Sequence, residues 1–265
     1  MFKKTCLITG STSGLGKSLS IKLAAEGFKL VLVSRSKKKL KKLSTLIGSN
    51  NSIYFALDLT NKNQVKNLIK KIPPIDILIN NAGGFYLKKK NIKFIEKTMM
   101  LNYYTPYLLI RNLILKNKFK QKKVLNIITH ALPKNKICIS NLSDLKKLNG
   151  WKLYKISKLL MITMTHYLNK HYPNHKFINV DPGRMKTNFG SNDVIFIRFL
   201  IKIYLYIFGK DPNNVANNIV KKIKQNPKNV DIGVSKNKIK LNYIFNEKFQ
   251  KKLIKHSNKV INYHE

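Results

Sequence analysis

Tyr154 and Lys158 stand four residues apart in the run Tyr154-Lys155-Ile156-Ser157-Lys158. On a helix, residues at that spacing share one face and reach one site. A tyrosine hydroxyl is a poor base at neutral pH, but a neighbouring ammonium favours its anion and draws its proton affinity toward the working range. The pair could therefore pass a proton to or from a substrate oxygen. Spacing alone proves little in a chain with 48 lysines, where Tyr-x-x-x-Lys more often marks an exposed helical face. A second group offers different chemistry. Thr9-Gly10-Ser11-Thr12-Ser13-Gly14-Leu15-Gly16 joins glycines, which let a backbone approach a phosphate closely, to a helix start whose free N–H groups attract anions.

Both groups depend on the elements that carry them. Apolar runs at Thr5–Thr9, Lys29–Val33, Ile53–Ala56, Asp76–Ile79, Val124–Ile128 and Phe177–Val180 read as strands. Helical periodicity marks Leu15–Ala25, Lys37–Leu46, Val65–Ile72, about Ile92–Lys116, and Leu153–Tyr172. This alternation predicts an α/β fold, a doubly wound parallel sheet with helices on both faces, and 265 residues suit a single domain. Ligands in such sheets lie beyond the carboxyl ends of the strands, where strand order reverses. The glycine turn, Asn80-Asn81-Ala82-Gly83 and Thr129 all fall at predicted strand ends. After Pro182 the pattern loosens into apolar Val194–Phe208, a helix Pro212–Gln225, a last strand Val230–Val234, and a helix from about Leu241.

Taken in order, Thr-Gly-x-x-x-Gly-x-Gly at Thr9–Gly16, Asn80-Asn81-Ala82-Gly83, Tyr154-x-x-x-Lys158 and Pro182-Gly183-x-x-x-Thr187 resemble the short-chain dehydrogenase/reductase family. The resemblance covers essentially the whole chain. It implies one Rossmann domain over residues 1–265, with about 1–190 as nucleotide-binding and catalytic core and about 191–265 as the substrate side. It implies a nicotinamide dinucleotide held by Gly10, Ser11, Thr12, Ser13, Gly14, Leu15 and Gly16, with Asp58 and Leu59 near the adenine. Asn81, Ala82, Gly83, Tyr154, Lys158, Pro182, Gly183 and Thr187 complete that cofactor site. In the family's chemistry Tyr154 would be the general acid/base and Lys158 would tune it and bond the nicotinamide ribose. Asn102 would hold a water linking Lys158 to solvent. Thr129 stands where the family has Ser to bond the substrate oxygen; Thr carries the same hydroxyl with an added methyl and a stiffer χ1. A shift of one residue would put His130 there instead. No metal is expected.

Ser34-Arg35-Ser36-Lys37 follows the second strand without the acidic residue that would bind both ribose hydroxyls of NAD. Arg35 can face a 2′-phosphate, with Lys17 and Lys37 as helpers, which favours NADP(H) over NAD(H). Thr129 and Tyr154 are 25 residues apart, more than in most of the family, and Asn141-Leu142-Ser143-Asp144-Leu145 lies between them. This resembles the retinol-dehydrogenase-like and protochlorophyllide-reductase-like branches, and implies a lipophilic carbonyl or alcohol substrate. The other reading is a nucleotide-binding sensor or scaffold on the same fold with weak or no catalysis, motivated by Thr129. Val194–Phe208 fits a pocket lid, a peripheral membrane contact with Arg198 and Lys202 snorkelling, a packed helix, or a homodimer contact.

The formal charge of +41 comes from 52 Lys+Arg against 11 Asp+Glu. A field of that sign attracts nucleic acid and anionic lipid. The basic residues, however, are scattered over every segment, only four are Arg, and no nucleic-acid-binding signature accompanies them. A skew toward Lys, Asn and Ile is what AT-rich codons impose, so no specific nucleic-acid partner is expected. Cys6 and Cys138 give no metal spacing and read as reduced, structural thiols. The N-terminus passes directly into the first apolar run, which leads us to expect no signal peptide, no membrane span and a cytoplasmic location, with membrane association open through 194–208.

Overall fold

The fold was obtained as a computed structural model and is described for residues 4–87, 91–92, 95–129, 131–133, 137, 148–186, 199, 201, 205–225, 231–232 and 242–262. Its strands are β1 (Thr5–Thr9), β2 (Lys29–Ser34), β3 (Ser52–Ala56), β4 (Ile75–Asn80), β5 (Asn91–Ile92), β6 (Ile95–Glu96), β7 (Phe119–Ile127), β8 (Lys176–Val180) and β9 (Asp231–Ile232). Seven of them form one parallel sheet in the order β3-β2-β1-β4-β7-β8-β9, while β5 and β6 make a separate antiparallel pair. Strand order reverses beside β1. The crevice between the ends of β1 and β4 is therefore where a ligand belongs.

The helices are α1 (Gly14–Ala25), α2 (Lys37–Leu46), α3 (Lys62–Lys71), α4 (Lys97–Met99), α5 (Thr105–Leu115), α6 (Gly150–His171), α7 (Pro212–Gln225) and α8 (Glu247–Asn262). Alternate residues of each strand serve opposite faces. Cys6, Ile8, Leu30, Leu32, Ile77 and Ile79 meet α1, α2 and α7, whereas Leu7, Val31, Val33, Leu78, Val124 and Phe177 meet α3, α5, α6 and α8. Burial on both sides explains the consecutive apolar residues Cys6, Leu7 and Ile8 of β1 and Ile77, Leu78 and Ile79 of β4. A buried Leu or Ile contributes about 1.5–3 kcal/mol by leaving water, so the strand ends that carry the site are firmly seated.

Three elements differ from the sequence pattern. Strand β7 begins at Phe119, not Val124, because Lys120-Gln121-Lys122-Lys123 conceals its start. Lys122 takes a φ of 56° and the pairing with β4 shifts register between Ile75 and Ile77, as at a bulge. Buried Lys123 then donates from Nζ to the carbonyl of Ile223, 3.1 Å away in the last turn of α7, where carbonyls lack helical partners. The helical stretch expected from Ile92 starts at Lys97, after the β5–β6 pair, and is π-helical over Met100–Tyr104. The last helix starts at Glu247 after a 3-10 turn at Asn242–Phe245. Most of Val194–Phe208 and the strip Asn141–Leu145 lie outside the described residues. Among the described residues no helix is long and apolar enough to cross a membrane.

Candidate active site

At the end of β1 the chain must turn sharply and start a helix in one step. The hydroxyl of Thr9 accepts the N–H groups of Asn81 (3.0 Å) and Ala82 (3.1 Å), and the Asn81 amide donates to the carbonyls of Thr9 (2.9 Å) and Gly10 (3.2 Å). The loops after β1 and β4 are thus one bonded unit. Ser11 is fully buried and its N–H and hydroxyl both turn to the Val33 carbonyl, while the Thr12 hydroxyl bonds that of Ser34 at 2.8 Å. These two side chains hold the turn to β2, so a phosphate would meet the exposed Ser13 and the backbone instead. The N-caps of α2, α3 and α6 (Ser36, Asn61 and Asn149) each accept an N–H from their own helix, whereas Ser13 at α1 makes no such bond. The first N–H groups of α1, those of Gly14, Leu15 and Gly16, are left for a ligand. This turn fits the pyrophosphate of a dinucleotide.

Gly16 is indispensable to that shape. A Cβ there would stand 2.2 Å from the Gly10 carbonyl oxygen and 2.4 Å from the Asn81 amide nitrogen. The first obstacle is backbone, so Gly16→Ala must displace the turn. We expect about 1–3 kcal/mol of destabilisation from that overpacking, and at least a tenfold weaker dinucleotide affinity, read by thermal melting and by fluorescence titration. An affinity within twofold of wild type would show that the turn does not carry the phosphates.

Tyr154 and Lys158 do share one face of α6, and both are buried. The Thr129 side chain, just beyond β7, lies close enough to Tyr154 to lower the proton affinity of its hydroxyl. Thr129 thus stands near Tyr154; His130 lies outside the described residues. Thr129 also accepts the N–H of Ala131 at 3.2 Å, which fixes its rotamer. Lys158 donates from Nζ to the Ile127 carbonyl at 2.8 Å and lies 5.8 Å from the centre of the Tyr154 ring. Burial pushes its pKa down to about 8. Tyr154 departs from the sequence expectation of a lowered pKa. Burial raises it well above the ordinary range, the nearby Thr129 side chain opposes this, and Asp181 adds to it. The hydroxyl is therefore a protonated donor at neutral pH.

Gly83 lies between Lys158 and Asn102. A Cβ on it would come within 3.3 Å of the Lys158 Nζ and 3.0 Å of the Asn102 Oδ1. Asn102, fully buried in the π-helical turn, donates to the carbonyls of Gly84 (2.7 Å) and Thr98 (2.8 Å) and accepts the Gly84 N–H at 3.0 Å. Its amide is committed to the loop after β4 and steadies the wall that Lys158 faces. Asp58 is engaged locally, since Oδ1 accepts both the N–H (2.9 Å) and the hydroxyl (2.8 Å) of Thr60. Only Oδ2, 4.0 Å from Lys97, faces elsewhere. Leu59 is buried in the core and its carbonyl accepts the Thr105 hydroxyl, so it does not present a side chain to a nucleotide. Pro182 and Gly183 follow β8 on the tyrosine side, with the Gly183 N–H on Asp181 Oδ1 at 2.9 Å. Thr187 lies outside the described residues. Arg35 is exposed one residue beyond β2.

The sequence pattern did not single out Asp181 as an influence on Tyr154, nor the aromatic rings around it. The Trp151 ring is stacked on Tyr154 with centroids 5.4 Å apart and planes at 13°, and Phe85 stands edge-on to Trp151 at 5.4 Å. Trp151 precedes Tyr154 by three residues, the spacing that places residues on one helical face, so periodicity alone would have found it.

The family model described as short chain dehydrogenase matches residues 4–194. A fatty acyl-CoA reductase of Acinetobacter baylyi is 28% identical over 244 residues, covering 86% of this chain and 75% of that protein. The crystal structure of a short-chain dehydrogenase from Streptomyces avermitilis superposes with a TM-score of 0.68 at 18% identity, over 98% of this chain and 94% of that one. A short-chain dehydrogenase from Sphingobium yanoikuyae in complex with NADPH does so with a TM-score of 0.63 at 18% identity, over 86% and 87% of the two chains. Together with the glycine turn at the switch point of the sheet and the Tyr154–Lys158 pair beside it, these matches establish that the chain belongs to the short-chain dehydrogenase/reductase family of nicotinamide-dependent carbonyl and alcohol oxidoreductases.

Proposed function

We infer that the protein is an NADP(H)-dependent reductase or dehydrogenase acting on a lipophilic carbonyl or alcohol. The observation that carries this reading is the Tyr154 hydroxyl, buried and protonated near the Thr129 side chain, with Lys158 one turn further along α6. When bound, the reduced nicotinamide supplies a hydride to the carbonyl carbon. Thr129 and Tyr154 hold the carbonyl oxygen between two hydroxyls, and Tyr154 gives its proton to that oxygen as charge develops on it. Lys158, which donates to the Ile127 carbonyl, would bond the ribose and favour the tyrosinate left behind. Asn102 holds the Gly83–Gly84 wall against which Lys158 rests.

Preference for NADP(H) rests on Arg35, exposed beyond β2 beside the Thr12–Ser34 hydroxyl pair, where an acidic residue is missing. A guanidinium there bonds a 2′-phosphate in a bidentate way. The lipophilic half of the reading, and with it the retinol-dehydrogenase-like branch, rests on exposed Phe199, Tyr206, Ile207 and Phe208. The Gly209–Lys210 stretch is bonded to the chain after β8, where the Lys186 N–H meets the Lys210 carbonyl and the Lys210 N–H meets that of Arg184. That pairing ties the segment carrying these apolar residues to the chain after β8.

The purified protein should oxidise NADPH with medium-chain or aromatic aldehydes. Arg35→Asp should weaken NADPH by at least thirtyfold in KM and improve NADH, reversing the preference. The ratio of kcat/KM for the two cofactors in wild type and variant measures this. A ratio that does not move would remove Arg35 from the 2′-phosphate site.

A further inference from the structure

Along one face of α6 the residues at 151, 154 and 158 grade from open to buried: Trp151 is 38% exposed, Tyr154 7% and Lys158 3%. The helix thus runs from solvent toward the cofactor side, and Trp151 marks its outer end. Its ring is nearly parallel to that of Tyr154, and Phe85, buried in the loop after β4, closes the corner at 5.4 Å from Trp151 and 6.1 Å from Tyr154. Gly150 keeps this corner in place, because a Cβ on it would lie 1.7 Å from the Tyr86 carbonyl oxygen. The start of α6 is thereby pressed onto the Phe85–Tyr86 loop. Lys155, one turn after Trp151, holds its ammonium 5.5 Å from the indole centre. A half-exposed indole beside the proton-donating tyrosine offers a flat apolar surface for a ligand to cover, since burying large aromatic surface is favourable and stacked rings add to it.

We propose that Trp151 and Phe85 form an aromatic wall on the substrate side of Tyr154, which selects carbonyl compounds bearing a flat aromatic or conjugated ring over straight-chain ones. The proposal rests on Tyr154 as the proton donor. A carbonyl held between Tyr154 and Thr129 leaves its substituent to extend outward along the same helical face, over the indole. Offset stacking of one ring contributes roughly three- to tenfold in affinity, and the apolar area covered adds to that.

Trp151 is the only tryptophan of the chain, so its emission reports this site directly. Two probes separate ring from chain: 2-naphthaldehyde and hexanal, each with NADPH. Trp151→Ala should lower kcat/KM for 2-naphthaldehyde at least tenfold, chiefly through KM, and change that for hexanal less than threefold; Trp151→Phe should restore most of the loss. In Tyr154→Phe protein loaded with NADPH, 2-naphthaldehyde should quench the remaining tryptophan emission and hexanal should not. An equal fall for both aldehydes, mainly in kcat, would show that Trp151 merely supports Tyr154 and would overturn the proposal, as would no fall for either. Should the wild type oxidise NADPH with neither aldehyde, the enzymatic reading fails separately; saturable quenching by 2-naphthaldehyde would then still support the aromatic wall, and its absence would overturn it.

Discussion

Replacing Tyr154 by Phe should cut carbonyl-dependent NADPH oxidation by about a thousandfold, within the range of 10² to 10⁴ that a positioned proton donor contributes. The substitution removes one oxygen and little else. The phenyl ring keeps the stack on Trp151 and the tilt against Phe85. It gives up the polar contact with the Thr129 side chain, a net loss of at most about 1 kcal/mol, so the melting temperature should move only by a few degrees. NADPH affinity should stay within about threefold, because the hydroxyl belongs neither to the glycine turn nor to the Arg35 position. The expected asymmetry has a reason in the structure: burial and Asp181 keep Tyr154 protonated, so it acts as an acid toward a carbonyl, and Phe has no proton to give. Thr129→Val would test the partner hydroxyl and should cost about tenfold to a hundredfold, chiefly in kcat. Steady-state kinetics with fluorescence titration of NADPH measures both variants. Turnover above a tenth of wild type in Tyr154→Phe would rule out Tyr154 as the donor.

Most of the scaffold was legible because each strand is buried on both faces and each helix on one, and those two patterns differ in period. Strand β1 and the turn after it could be placed to the residue. The motifs at Asn81 and Gly16 were readable for the same reason, since their residue types are dictated by contacts shorter than a side chain allows. What escaped was tertiary. The first half of β7 is written as Lys120-Gln121-Lys122-Lys123, and nothing local reveals that Lys123 finds a carbonyl at the end of α7. Ser11 looked like a phosphate ligand by position, yet its hydroxyl is spent on the Val33 carbonyl across the sheet. Asn102 was expected to hold a water, and nothing local foretold that its amide is also tied to Gly84, 18 residues earlier in the chain. In each of these the partner is distant in sequence, and side-chain chemistry alone cannot say which of several acceptors lies within reach. The direction of the Tyr154 pKa was misjudged for a related reason. Proximity to Lys158 was readable from spacing, but the extent of burial and the presence of Asp181 were not.

Lys158→Met should abolish measurable turnover and, in the cofactor-free protein at pH 7, raise the melting temperature. The two effects share one cause. An ammonium buried at 3% exposure is held unfavourably, and its pKa falls from the ordinary value near 10.5 to about 8. Between pH 8 and 10.5 the unfolded chain keeps this proton while the folded chain sheds it, so wild-type stability rises with pH across that window. Below pH 8 the full penalty is present, about 3 kcal/mol. Methionine has a similar length, packs well in an apolar site and does not titrate. It forfeits the bond to the Ile127 carbonyl, on the order of 1 kcal/mol, which leaves a net gain of about 2 kcal/mol at pH 7. For a chain of this size that corresponds to roughly 4–8 °C. The gain should shrink as pH rises from 8 and vanish or reverse near 10.5. Wild-type kcat/KM for carbonyl reduction should decline above about pH 8, where Lys158 loses the charge that favours the tyrosinate, and the Met variant should show no such break in whatever activity remains. Melting curves from pH 6 to 10.5, taken on both proteins without cofactor, decide the point. A Met variant that melts lower than wild type at pH 7 would mean that the buried ammonium is compensated, and that Lys158 serves stability as well as chemistry.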